Sequence, residues 1–96
     1  MLRIISLNLN GIRSAVNKGV LKWLGKQGAS VVCLQELKAQ AKDILPAVHN
    51  PDDLLGYFHF ADRPGYSGVG LYCSKKPDRV IYGLGIPEFD REGRYI

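Results

Sequence analysis

Ninety-six residues, 46% of them hydrophobic, make one small globular domain or a piece of a larger one, and exclude a disordered polyelectrolyte. The formal charge of +4 divides unevenly: residues 1–42 hold seven Lys and Arg against a single acid, Glu36, whereas residues 43–96 hold six against eight. No apolar run approaches a membrane span, and the two cysteines, Cys33 and Cys73, lack metal-ligand spacing and argue against a disulfide framework, so a cytoplasmic protein with no membrane partner is expected.

Met1-Leu2-Arg3 is expected to enter a strand directly, without the charged and apolar regions of a secretory leader. From there the chain alternates, with Ile5, Leu7 and Leu9 on one face and Ile4, Ser6, Asn8 and Asn10 on the other. Asn10-Gly11 is a hairpin signal, but no alternating strand follows it. Instead Val16, Val20, Leu21, Trp23 and Leu24 recur at helical spacing up to Gly28, which leaves residues 11–15 as a loop between strand and helix. Lys18, Lys22 and Lys26 on this helix suit a polyanion, and equally a solvated helix face. Residues 31–35 are almost continuously apolar, as a strand covered on both faces would be. In a β-α-β unit the strands are parallel with a right-handed crossover, so both C-terminal ends reach the same sheet edge. Open α/β sheets bind ligands at that edge, and it collects Asn8, Asn10 and Glu36.

Residues 39–44 predict a short helix halted near Pro46, and residues 49–56 a loop. Residues 57–61, 69–74 and 79–82 predict three strands, whose short Gly- and Pro-marked links favour antiparallel pairing. Residues 88–93 read as a turn and residues 94–96 as the opening of another strand, which suggests the N-terminal portion of one larger domain.

By itself, Glu36 reads either as a placed ligand or as an ordinary surface carboxylate at a strand end. Four ordered blocks decide between these. Asn8-Leu9-Asn10-Gly11-Ile12-Arg13-Ser14-Ala15, Leu34-Gln35-Glu36-Leu37-Lys38, Gly65-Tyr66-Ser67-Gly68-Val69-Gly70 and Glu92-Gly93-Arg94 together resemble the exonuclease III / apurinic-endonuclease family of DNA repair nucleases. The resemblance implies an α/β four-layer sandwich of DNase I type, two mixed sheets face to face with helices outside, of which this chain is an incomplete part. It implies hydrolysis of DNA phosphodiesters, in duplex with an abasic site or a 3′ end, with Mg²⁺ as cofactor or Mn²⁺ in its place. Glu36 would be the carboxylate ligand with Asn8 beside it; Asn10 would orient groups at the metal edge and Lys38 would brace the cluster. Arg13 and Ser14 would meet phosphate, and Gly65 and Tyr66 would rest against the DNA backbone. The alternative for Tyr66 is a turn tyrosine packed on its own hairpin.

His49 and His59 match no motif of that family and are assigned structural roles. The family's water-activating Asp, Asp-x-Asn pair, Tyr and Asp-His pair have no counterpart in residues 1–96. The chain alone is therefore expected to be inactive, and to self-associate through an uncovered sheet face. The competing readings are another phosphoesterase of the same superfamily, and a non-catalytic DNA-binding or interaction remnant.

Overall fold

The computed structural model describes residues 2–96, so the reading of Met1 as the lead into a strand lies outside the described residues. The elements in chain order are β1 (Ile4–Asn8), α1 (Ile12–Asn17), α2 (Val20–Gly25), β2 (Val31–Gln35), one 3₁₀ turn (Ala41–Asp43), α3 (Pro46–His49), β3 (Leu55–His59), β4 (Val69–Cys73) and α4 (Pro87–Asp90). The strands form one sheet in the order β1-β2-β4-β3. β1 and β2 are parallel, with Asn8 opposite Gln35. β4 runs antiparallel to both of its neighbours, pairing Gln35 with Val69 on one side and His59 with Val69 on the other.

One face of the sheet carries the core. Val32 and Leu34 of β2, Tyr72 of β4 and Phe58 of β3 point to it, where they meet Ile12, Leu24, Leu37 and Val48. Burying an aliphatic or aromatic side chain of this size stabilises by about 1.5–3 kcal/mol, which is what holds these short helices in place. Phe58 is the hub: it packs edge-on against Tyr72 at 5.8 Å between ring centres and against His49 at 5.2 Å, and stacks on Phe60 at 6.1 Å. Gly56 lets this layer close, since a Cβ there would overlap the carbonyl oxygen of His49. The opposite face is only partly covered. Residues 81–84 and 94–96 lie beside Cys33, Gln35, Val69 and Leu71 across a cleft of about 370 Å³, and Ile4, Ile81 and Leu84 stay more than half exposed.

Several elements differ from the sequence reading, each for a local reason. The expected single helix is two, because Gly19 takes a left-handed φ of 94° and starts α2 afresh. The expected loop over residues 11–15 is mostly the first turn of α1. Pro46 begins a helix rather than halting one, since its missing N–H is not needed at the first helical position. The strand expected at 57–61 runs Leu55–His59, so His59 is its last residue rather than its middle. Residues 79–82 form no strand, and neither do residues 94–96. Left-handed turns at Gly83 and Gly85, with the Asp90 carboxylate accepting the N–H groups of Leu84 at 2.7 Å and Gly85 at 3.0 Å, take the chain out of any ladder. One bond from Gly83 N–H to the Tyr95 carbonyl, at 3.0 Å, joins the two segments instead.

Tyr72 ties the helical layer to the sheet: it is 1% exposed and its hydroxyl donates to the Val48 carbonyl at 2.6 Å. Tyr72→Phe is expected to destabilise by about 1–3 kcal/mol, because it leaves that carbonyl without its donor. Burial pushes the Tyr72 hydroxyl up to about 12 from 10.0. The neutral phenol is thus favoured in the folded state, and its contribution is complete below the unfolded value and lost as pH climbs through the folded one. Denaturant melts at about pH 8 and about pH 11 check this; the gap between wild type and Tyr72→Phe should narrow at the higher pH.

Candidate active site

β1 and β2 end side by side, and beyond them the chain turns sharply. Asn10, Glu36 and Lys38 have φ of 47°, 53° and 51°, and Ser67, which meets Lys38, has 48°. Asp52 is the only other non-glycine residue in this conformation among the described residues. Left-handed backbone at such residues costs about 1–3 kcal/mol each and persists only where the surroundings impose it. Here the surroundings are backbone hydrogen bonds. The carbonyls of Glu36 and Leu37 accept the N–H groups of Gly11 at 2.9 Å and Ile12 at 2.8 Å. On the other side, Leu37 N–H donates to Gly68 at 3.1 Å and Lys38 N–H to Ser67 at 2.7 Å. Leu37 is fully buried, while Glu36 and Lys38 on either side of it stay half-buried at the rim. Residues 36–43 form a strap between the start of α1 and the loop over residues 61–68.

The side chains along this edge interlock. Asn8 Oδ1 accepts the N–H of Asn10 at 3.1 Å, an Asx turn that keeps one oxygen lone pair available. Asn10 lies past the end of β1, so this turn, and not strand alternation, sets it beside Asn8. Lys38 Nζ donates to Asn10 Oδ1 at 2.6 Å. Arg13, in the first turn of α1, donates to the Lys38 carbonyl at 3.3 Å and stands 3.8 Å from Asp43. Asn8, Asn10 and Ser14 line a cleft of about 550 Å³ together with Lys18 and Trp23. Neither of the two ion pairs among the described residues includes Glu36.

Gly65 and Tyr66 stand on a separate patch of the same edge. Gly65 turns the loop with a φ of 67°. The Tyr66 hydroxyl donates to Glu92 at 2.9 Å and accepts from Arg94 at 2.7 Å, while the guanidinium groups of Arg63 and Arg94 lie 5.2 and 5.5 Å from the ring centre. Tyr66 is therefore seated against residues 92–94 rather than on its own hairpin alone. Gly93 permits that approach, for a Cβ there would collide with the backbone nitrogen of Ala61. His49 packs on Phe58, and His59 Nδ1 meets the Tyr95 carbonyl at 2.9 Å; both are structural contacts.

Sequence reasoning assigned no role to Gln40, Asp43 or Arg63. The Gln40 amide donates to the carbonyls of Ala61 at 2.9 Å and Arg63 at 3.4 Å, and Asp43 Oδ2 accepts the N–H of Gln40 at 2.9 Å. Gln40 and Asp43 close a box around the 3₁₀ turn, but Gln-x-x-Asp is not the usual Ser/Thr-x-x-Glu/Gln pattern, so the sequence offered no signal for it. Glu92 and Arg94 were visible as a motif, but nothing in the sequence pointed them at Tyr66.

The donors that the resemblance assigns to a metal, the Glu36 carboxylate and the Asn8 amide, are oxygens at the ends of the paired strands β1 and β2. No group of three or more His, Cys, Asp or Glu comes together among the described residues. Mg²⁺, which keeps several waters and takes one or two carboxylates, does fit this donor set.

Residues 5–96 match the Endonuclease/Exonuclease/phosphatase family. An exodeoxyribonuclease of Bacillus subtilis is 38% identical over 96 residues, covering 99% of this chain and 37% of its own length. The DNA repair nuclease APEX1 of Danio rerio is 36% identical over 103 residues, covering 99% of this chain and 31% of its own length. The structure of an AP endonuclease from Archaeoglobus fulgidus superposes with a TM-score of 0.82 at 27% identity, over 96% of this chain and 35% of that one. A 3′-5′ exonuclease from Neisseria meningitidis, at 22% identity and a TM-score of 0.79, shares the fold over 95% of this chain and 34% of its own. The sheet and its helices are accordingly part of a DNase I-like α/β fold, and the chain spans about a third of the length of these relatives. With a match that runs from β1 to its last residue, this chain belongs to the endonuclease/exonuclease/phosphatase family, among relatives that are exodeoxyribonucleases and apurinic endonucleases.

Proposed function

We propose that this chain carries the metal-side portion of a DNA repair nuclease, one that hydrolyses phosphodiesters as a 3′-exodeoxyribonuclease or an abasic-site endonuclease. The observation that carries the reading is the edge where Asn10, Glu36 and Lys38 are held in left-handed backbone, with Asn8 at the end of β1 and Arg13 beside Lys38, in a chain of this family. When bound, Mg²⁺ (or Mn²⁺) would supply Lewis-acid stabilisation of charge on the phosphoryl and leaving oxygens. Glu36 is the charged group that would hold it, with Asn8 offering an amide oxygen beside it. The ammonium of Lys38, fixed by Asn10, keeps the rim electropositive where a phosphate arrives. Arg13 and Ser14 are the phosphate contacts on α1, and Gly65 and Tyr66, backed by Arg63 and Arg94, are the contacts to the backbone further along the duplex. Two free thiols, Cys33 and Cys73, accord with a cytoplasmic location.

In a full-length protein containing this chain, Glu36→Gln is expected to lower Mg²⁺-dependent cleavage by about 100-fold or more with the melting temperature little changed. Single-turnover cleavage measured across a Mg²⁺ titration checks it, and an unchanged rate at saturating Mg²⁺ would remove Glu36 from the metal.

Arg13→Ala should weaken binding of all DNA sequences alike and reduce the slope of log affinity against log salt by roughly 0.9, one phosphate's worth. A change in sequence preference would show that Arg13 reads bases instead.

The 96-residue chain alone is expected neither to cleave DNA nor to stay monodisperse. Metal stabilisation without a positioned base leaves out a contribution worth about 10²–10⁴-fold. Ile4, Ile81 and Leu84, 60%, 56% and 55% exposed at the partly covered sheet face, favour association. Sedimentation at micromolar concentration, paired with nicking of abasic duplex in Mg²⁺, measures both; a monodisperse monomer that incises DNA would refute the expectation.

A further inference from the structure

Gln40 sits where the strap enters the 3₁₀ turn, and its side chain leaves its own segment to hold another. Its amide nitrogen donates to the carbonyl of Ala61 at 2.9 Å and to that of Arg63 at 3.4 Å, both in the loop that presents Tyr66. Ala61 is 2% exposed, so water is a poor substitute for this donor. The backbone of Gln40 is engaged as well: its N–H donates to Asp43 Oδ2 at 2.9 Å and its carbonyl accepts the Asp43 N–H at 2.8 Å. The other Asp43 oxygen faces Arg13 at 3.8 Å. The loop is held from its far side by the bond from Asp62 N–H to the Arg91 carbonyl, 2.8 Å, and by the Tyr66 hydroxyl on Glu92 and Arg94. Backbone bonds from Leu37 to Gly68 at 3.1 Å and from Lys38 to Ser67 at 2.7 Å hold the end of that loop to the strap, and the Gln40 side chain holds its beginning, Ala61 to Arg63.

We propose that Gln40 is a positioning residue for duplex DNA, clamping the Tyr66 loop at a fixed distance from the Glu36 edge. This rests on the reading of Tyr66 as a DNA contact. A duplex offers phosphates at a regular spacing, so two contact patches held at a matching separation gain together and lose together. A single strand bends to follow a displaced patch and does not require the clamp. Gln40 touches no reacting group and acts only through the loop.

Gln40→Met keeps the side-chain length and removes both N–H donors without adding charge. The test compares wild type, Gln40→Met, Tyr66→Ala and the double variant of a full-length protein containing this chain, by fluorescence anisotropy without divalent metal on a labelled duplex and on the same strand alone. Gln40→Met should weaken duplex binding about three- to tenfold, the factor for one or two hydrogen bonds of ordinary net strength, and leave single-strand binding within about twofold. In the double variant its loss should largely merge with that of Tyr66→Ala, since both act through one loop. Equal losses on duplex and single strand, or losses that multiply in the double variant, overturn the proposal and leave the role of Tyr66 standing. An unchanged affinity in Tyr66→Ala overturns the underlying reading and the proposal with it. Gln40→Asn, which keeps the amide but falls a methylene short of both carbonyls, carries the same expectations and serves if Gln40→Met does not fold.

Discussion

Leu37 is driven into the core while the residue on each side of it turns through left-handed backbone, and the whole edge is built on that alternation. Burial of a leucine is worth about 1.5–3 kcal/mol, comparable with the cost of the strained conformations beside it. The hydrogen bonds from this three-residue segment to Gly11, Ile12, Ser67 and Gly68 supply the rest. The consequence is geometric. A chain that would otherwise run off the end of β2 is stapled to α1 on one side and to the loop before β4 on the other. Glu36 and Lys38 are left at the rim, where Asn10, Arg13 and the backbone of Ser67 meet Lys38 and the N–H of Gly11 meets the Glu36 carbonyl.

The sheet behind this edge is asymmetric. Its helix side is closed by Ile12, Leu24, Val48 and the aromatic cluster around Phe58, and Tyr72 fastens α3 to it with a buried hydrogen bond. Its other side has irregular chain against it and large apolar residues still in water. Rigidity therefore comes from one face only. The polar edge lies at the C-terminal ends of β1 and β2, and β2 is paired on both sides, parallel to β1 and antiparallel to β4. A site placed there inherits the order of the sheet without needing the second face.

The two contact patches differ in how they are held. Around Asn8, Asn10, Arg13 and Lys38 the contacts are short and local to the strand ends. Tyr66 instead depends on residues far away in sequence, from Gln40 before it to Glu92, Gly93 and Arg94 after it. Two guanidinium groups beside one tyrosine ring give that patch a positive face, and the Glu92 carboxylate stands 3.7 Å from Arg94.

Much was legible in the sequence. Alternation in residues 4–8 and the apolar run of residues 31–35 specified β1 and β2, and the helical stretch between them specified their parallel pairing, because parallel strands need a crossover. The resemblance of the motif blocks singled out Glu36, Asn8, Asn10 and Lys38, and the structure joins Asn8 to Asn10 and Asn10 to Lys38 by hydrogen bonds. What the sequence could not determine were features that depend on partners distant in the chain or on backbone sign. The break at Gly19, the left-handed turns at Glu36 and Lys38, and the helix opened by Pro46 all came from local conformations that several patterns allow. The failure of residues 79–82 to form a strand was decided by turns that Asp90 stabilises from the far end of the loop. The Gln40 clamp and the seat of Tyr66 required the tertiary fold, since a hydrogen bond from residue 40 to residue 61 leaves no periodicity to read. Sequence pattern specifies which face of an element is buried; only packing specifies which distant carbonyl a side-chain amide will find.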